Sequence, residues 1–180
     1  MYVHKSTNIP VPKVYALYDM NDVELEMNYM VMEYIEGQTL ESCWATLTDP
    51  QKEDIATTLK EYFVELRSLP SPGYYGSLGR RPFENLMFET MEPNPAVNDP
   101  FETEKGLNEG MVLNYASRKS KYRAEFRRRA LATTFLIHAD LKCKNIIVKE
   151  NEREVASSDT KRMYQVTLID WEAAGWHPSY

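Results

Sequence analysis

Cysteine is nearly absent from this chain: Cys43 and Cys143 are the only two, far apart and without metal-type spacing. No disulfide framework is implied, which suits a reducing compartment. Long apolar runs are missing too. None approaches the roughly 20 residues needed to cross a bilayer. The N-terminal Met1-Tyr2-Val3-His4-Lys5-Ser6 has no apolar core and is no secretion signal. A basic excess is also lacking: the net charge of −6 and pI near 5.2 argue against a polyanion, and hence against nucleic acid, as the main partner. What remains is an ordinary apolar fraction of 43%, with 12% aromatic residues, over 180 residues. That is enough for one good core, and the expectation is a cytoplasmic folded domain with no membrane partner.

Along the chain, Thr7-Asn8-Ile9-Pro10-Val11-Pro12 should be extended, because each proline pushes its predecessor out of the helical region. A strand is predicted for Lys13 to Tyr18. Asn28 to Ile35, apolar on both alternating faces until Glu33, reads as a buried strand ended by Glu36-Gly37. Thr39 could cap a short helix through Leu40, Trp44 and Leu47. Asp49-Pro50 starts a second helix, with Asp49 accepting from the first turn. Ile55, Leu59, Tyr62, Phe63, Leu66 and Leu69 recur there at helical spacing until Pro70 stops it. Residues 70 to 100 read as a long irregular loop, followed by helices near 101 to 117 and 119 to 132. Thr134 to Ile137, Asn145 to Lys149 and Tyr164 to Ile169 read as β segments.

The chemistry concentrates at Phe135-Leu136-Ile137-His138-Ala139-Asp140-Leu141-Lys142-Cys143-Lys144-Asn145-Ile146-Ile147-Val148. An apolar strand, a polar turn and a second apolar strand hold Asp140 and Asn145 at the tip. Phosphoryl transfer asks little covalent chemistry of a protein. It needs a carboxylate near the attacking hydroxyl, and oxygen ligands for the Mg²⁺ that bridges the phosphates. Asp140 fits the first requirement and Asn145 the second. A second metal ligand, Asp170, follows the apolar strand in Leu168-Ile169-Asp170-Trp171-Glu172. One His-x-Asp alone is as often a turn carboxylate, but the His, Asp and Asn positions together coincide by chance about once in 10⁴ to 10⁵ windows.

These segments resemble the aminoglycoside-phosphotransferase and choline-kinase-like group, and most of all its fungal branch. Four pieces carry the likeness in family order: Thr7 to Val14, Met30 to Gly37, His138 to Asn145, and Ile169 to Pro178. The resemblance implies an α+β, protein-kinase-like fold. It would have a truncated N-terminal lobe and hinge over residues 1–36 and a mostly helical C-terminal lobe, incomplete at its end, over 37–180. It implies ATP and Mg²⁺ as cofactors, Asp140 as catalytic base, and Asn145 and Asp170 as Mg²⁺ ligands. Lys142 would contact the transferred phosphate, where many small-molecule kinases of the group have histidine. Met32, Glu33 and Ile35 would form the adenine hinge, through the Glu33 carbonyl and the Ile35 amide. His138 is expected to brace the loop rather than act as a base.

The family's glycine-rich hairpin and phosphate lysine have no counterpart upstream of Ile9-Pro10-Val11-Pro12, and Lys5 and Lys13 lie outside the required strand. Gly73-Tyr74-Tyr75-Gly76-Ser77-Leu78-Gly79 follows a helix and reads as a loop. Phosphate transfer to a small-molecule hydroxyl is therefore weighed against a catalytically inactive kinase-like remnant, or a partial gene product, acting if at all as a binding module. An uncovered core face predicts self-association of the chain. The basic run Arg118 to Arg129 reads as an amphipathic helix rather than a nucleic-acid site. A histidine-based metal hydrolase would need further ligands beside His138 and Asp140 that the sequence does not place nearby.

Overall fold

The computed structural model describes residues 2–20, 27–84, 88, 90, 92–117, 134–151 and 162–178. The predicted helix at 119 to 132 and the basic run lie outside these residues. Helices and small antiparallel sheets mix along the chain, as an α+β architecture requires. The chain divides into two compact units, Met1–Tyr62 with Leu141–Ile169, and Phe63–Asp140 with Asp170–Tyr180.

In the first unit a short helix α1 (Tyr2–Ser6) precedes the extended proline segment. Strand β1 (Val14–Met20) pairs antiparallel with β2 (Met27–Met32), Leu17 opposite Met30 and Tyr18 opposite Tyr29. The expectation of a buried strand here is corrected. Leu17 is 69% exposed and Met32 52%, and Tyr15, Tyr18, Tyr29, Met30 and Val31 are exposed as well. The apolar pattern fits a strand covered on both faces, yet among the described residues the ribbon has two strands only.

A three-stranded sheet follows in the order β3 (Gln38–Thr39), β6 (Ile146–Glu150), β7 (Tyr164–Leu168). Its register sets Ile146 opposite Leu168 and Val148 opposite Val166, so all four side chains are buried on alternate positions. Thr39 caps α2 (Leu40–Cys43) as predicted, its hydroxyl accepting from the Ser42 amide at 3.2 Å. Helix α3 (Asp49–Ser68) begins where expected. The Thr48 carbonyl accepts from the Lys52 amide, and the Thr48 amide donates to the Gln51 carboxamide. Asp54 on α3 accepts from the amides of Met163 and Tyr164 at 2.9 and 3.1 Å, which fixes the start of β7.

The second unit contains strand β4 (Gly76–Ser77), helices α4 (Pro95–Asn98) and α5 (Glu104–Ser117), and strands β5 (Thr134–Ile137) and β8 (Gly175–Pro178). The sheet order is β4-β8-β5. The described residues between 70 and 100 hold little regular structure, as expected, with β4 and α4 the elements there, yet several of their side chains are buried. Tyr75, Phe83, Phe88, Val97 and Phe101 bury against Leu107 and Met111 of α5. The aromatic residues there recur with no helix or strand period, so only their clustering in space reveals a core. Among the described residues, no helix is long and apolar enough to cross a membrane.

Candidate active site

Strand β5 delivers the first predicted site residue. Leu136 is fully buried, which anchors the strand, and the chain then turns through His138, Ala139 and Asp140. Ala139 has φ of 64°. That left-handed conformation costs an alanine about 1–2 kcal/mol and persists only where the surroundings enforce it. The enforcement is visible at His138, whose side chain is 2% exposed. Its Nδ1 accepts from the Asp140 amide at 3.4 Å, so the ring braces the turn instead of facing solvent.

Asp170 lies in the same unit and is the second strained residue, again with φ of 64°. An aspartate tolerates this region better than alanine does. The neighbouring Trp171 is buried and lies against His138, ring centroids 4.5 Å apart at 47°. Two left-handed turns, each bearing a predicted carboxylate, are thus joined by one ring contact. The Trp171 carbonyl accepts from the Ala174 amide at 3.1 Å, which closes the turn that leads into β8.

Lys142 and Asn145 belong to the first unit. Lys142 is exposed and begins a 3-10 turn over Cys143–Asn145, its carbonyl accepting from the Asn145 amide at 2.8 Å. Asn145 is 4% exposed, and its carbonyl accepts from the Ile169 amide at 3.0 Å. That bond and the Ile146–Leu168 pair hold the start of β6 to the end of β7 within the first unit. The two predicted metal ligands, Asn145 and Asp170, offer oxygen donors, and Mg²⁺ prefers one or two such protein ligands with the remainder from water and phosphate. The donor chemistry therefore fits that ion. Among the described residues, no group of three or more His, Cys, Asp or Glu could hold a metal, so nothing supports a histidine metal centre.

Residues 33 to 36 have no regular structure after β2 ends at Met32. The Glu33 amide donates to the Lys13 carbonyl at 2.8 Å, and the Glu33 carboxylate accepts from the Lys13 amide at 3.1 Å. Ile35 is half-buried. Beyond it, Glu36 pairs with Lys149 on β6 at 2.6 Å, and that hydrogen bond and charge hold the Glu36 carboxyl below its usual range. Gly37 follows with φ of 137°, and a Cβ there would stand 2.5 Å from the Val148 carbonyl oxygen. Close approach and backbone conformation both demand glycine. Gly37→Ala is expected to destabilise the first unit by about 1–3 kcal/mol, read from urea unfolding, because the obstructing atom is backbone and cannot swing away.

The sequence did not reveal this anchoring, nor the His138–Trp171 contact. The offset of Glu36-Gly37 from the predicted hinge was a usable signal for the first. Nothing local signalled the second.

The chain belongs to the phosphotransferase enzyme family (APH), whose family model matches residues 2–180. Similar proteins include the subtelomeric hrmA-associated cluster proteins of two Aspergillus fumigatus strains, each 33% identical over 70 residues. The match covers 39% of this chain and spans 14% of the length of each of those proteins. No solved structure matches the chain.

Proposed function

We propose that the chain supports ATP- and Mg²⁺-dependent transfer of phosphate to a hydroxyl of a small molecule, in the manner of aminoglycoside phosphotransferases. The observation that carries this reading is the pair of strained turns at Ala139 and Asp170, locked by the His138–Trp171 contact. Strain of this kind is characteristic of functional sites. Asp140 accepts the proton of the acceptor hydroxyl and orients its oxygen toward the phosphorus. Lys142 steadies the transferred phosphate. The Asn145 carboxamide oxygen and the Asp170 carboxylate would hold Mg²⁺, which when bound neutralises charge on the phosphates. Met32, Glu33 and Ile35 would receive the adenine ring.

The test is Mg²⁺-dependent ATP binding by calorimetry together with ATP hydrolysis. Metal-dependent nucleotide binding in the micromolar to millimolar range is expected, and none at millimolar concentration would sink the reading.

A second reading, a kinase-like binding module without turnover, is favoured by one feature. The β1–β2 ribbon beside the predicted hinge exposes apolar side chains on both faces. Exposure on that scale also supports the expected self-association. Light scattering should show species heavier than one chain, and Leu17→Glu with Met30→Lys should shift them toward the monomer. A monomeric wild-type chain that melts cooperatively would remove that expectation.

A further inference from the structure

Outside the predicted site, His177 is a half-buried titratable group with no assigned task. It stands in β8 directly opposite Phe135 of β5, with its ring against Phe83 at 4.4 Å and 44°. Its Nε2 is buried and has no hydrogen-bond partner. The charged groups on the elements around it offer a proton no welcome. From α3 the Arg67 guanidinium lies over the Phe135 ring at 6.0 Å, a like charge on the ring that faces His177. Beside Phe83, Glu84 is already paired with Arg81 at 3.2 Å. Strands β5 and β8 carry no other ionisable side chain. Among the described residues, a proton on the buried Nε2 would meet no free acceptor.

Strand β8 is the centre of its sheet. Gly76 and Ser77 pair with it on one side, and Thr134 to Ile137 on the other. On the β5 side the chain runs straight into His138-Ala139-Asp140, and β8 itself emerges from the Asp170–Ala174 turn. Both strained turns therefore depend on β8 staying seated.

We propose that His177 is a positioning residue: its neutral ring seats β8 against β5, and protonation unseats the strand and releases the turns carrying Asp140 and Asp170. The functional consequence rests on the phosphotransfer reading, but the structural event does not. Burial holds the His177 imidazole down to about 4. Because the seated form has the lower pKa, seating is fully favoured above pH ~6.5, weakens as pH falls from there to about 4, and then levels off. One proton makes the seating constant fall roughly tenfold per pH unit across that window, or about 300-fold in all.

The experiment is amide hydrogen exchange over residues 134–140 and 170–178 of the full chain from pH 7.5 to 4, corrected for intrinsic rates. Wild type should lose protection below pH 6.5, while His177→Phe, which keeps an aromatic ring on Phe83, should hold it. His177→Gln serves as a second non-titrating variant if the phenylalanine disturbs packing. Equal acid loss in wild type and in both variants overturns the proposal, and so does flat protection in wild type. Turnover, where it is measured, should lose its acid limb in the same variants; an unchanged acid limb overturns the positioning role. A chain without turnover at any pH would overturn the phosphotransfer reading, and the exchange data would still decide whether β8 is released.

Discussion

Asp140→Asn is expected to lower phosphate transfer by about 10²–10⁴-fold while leaving the melting temperature within a few degrees of wild type. The carboxamide fills the same space but cannot take the proton of an acceptor hydroxyl. The turn keeps two supports that the substitution leaves in place. Its conformation is set by the Ala139 backbone and by the bond from the Asp140 amide to the His138 ring, and neither involves the replaced atoms. Nucleotide affinity should change little, because Asp140 is assigned to the acceptor and not to the metal. Steady-state kinetics alongside calorimetric titration with ATP would check both halves. Full turnover in Asp140→Asn would remove Asp140 from the base role.

Replacing Asp170 should act on the other half of the reaction. Asp170→Asn is expected to weaken Mg²⁺-dependent nucleotide binding by at least about tenfold, with transfer falling by about 10²-fold or more, the range seen when a preorganised charge-stabilising group is lost. Asparagine is the informative substitution because residue 170 has φ of 64°. Alanine would combine loss of the carboxylate with backbone strain, whereas asparagine keeps the left-handed conformation accessible. Titrating ATP with and without Mg²⁺ separates the effects. If affinity falls equally in both conditions, Asp170 is not a metal ligand.

Much of the fold was legible where local chemistry alone decides it. Helix α3 shows its apolar spacing and its proline stop, and Thr39 shows a capping hydroxyl before an apolar stretch. For β2 the pattern stated what the strand is able to bury, which is a different matter from whether a covering layer lies over it. The candidate site divides in the same way. Residue types and offsets marked Asp140, Asn145 and Asp170, since phosphate chemistry restricts which side chains can serve. Their support could not be read. Alanine carries no signal for a left-handed turn, and the pairing of His138 with Trp171 depends on two strands that meet far apart in sequence.

The register of β6 on β7 has a consequence for how this chain can change over evolution. Ile146 faces Leu168, and the burial of alternate residues fixes that alignment within the sheet. The pairing continues to Asn151, whose amide donates to the Met163 carbonyl and whose carboxamide donates to the Arg162 carbonyl, so freedom of length is expected only between Asn151 and Arg162. Insertions there should cost little, because each doubling of a loop adds only about 0.6 kcal/mol of closure entropy. A single residue added between Ala139 and Asn145 has no such freedom, since it would change the offset between the proposed base Asp140 and the proposed metal ligand Asn145. Homologues should therefore vary in length between Asn151 and Arg162 and keep a constant count from His138 to Asn145.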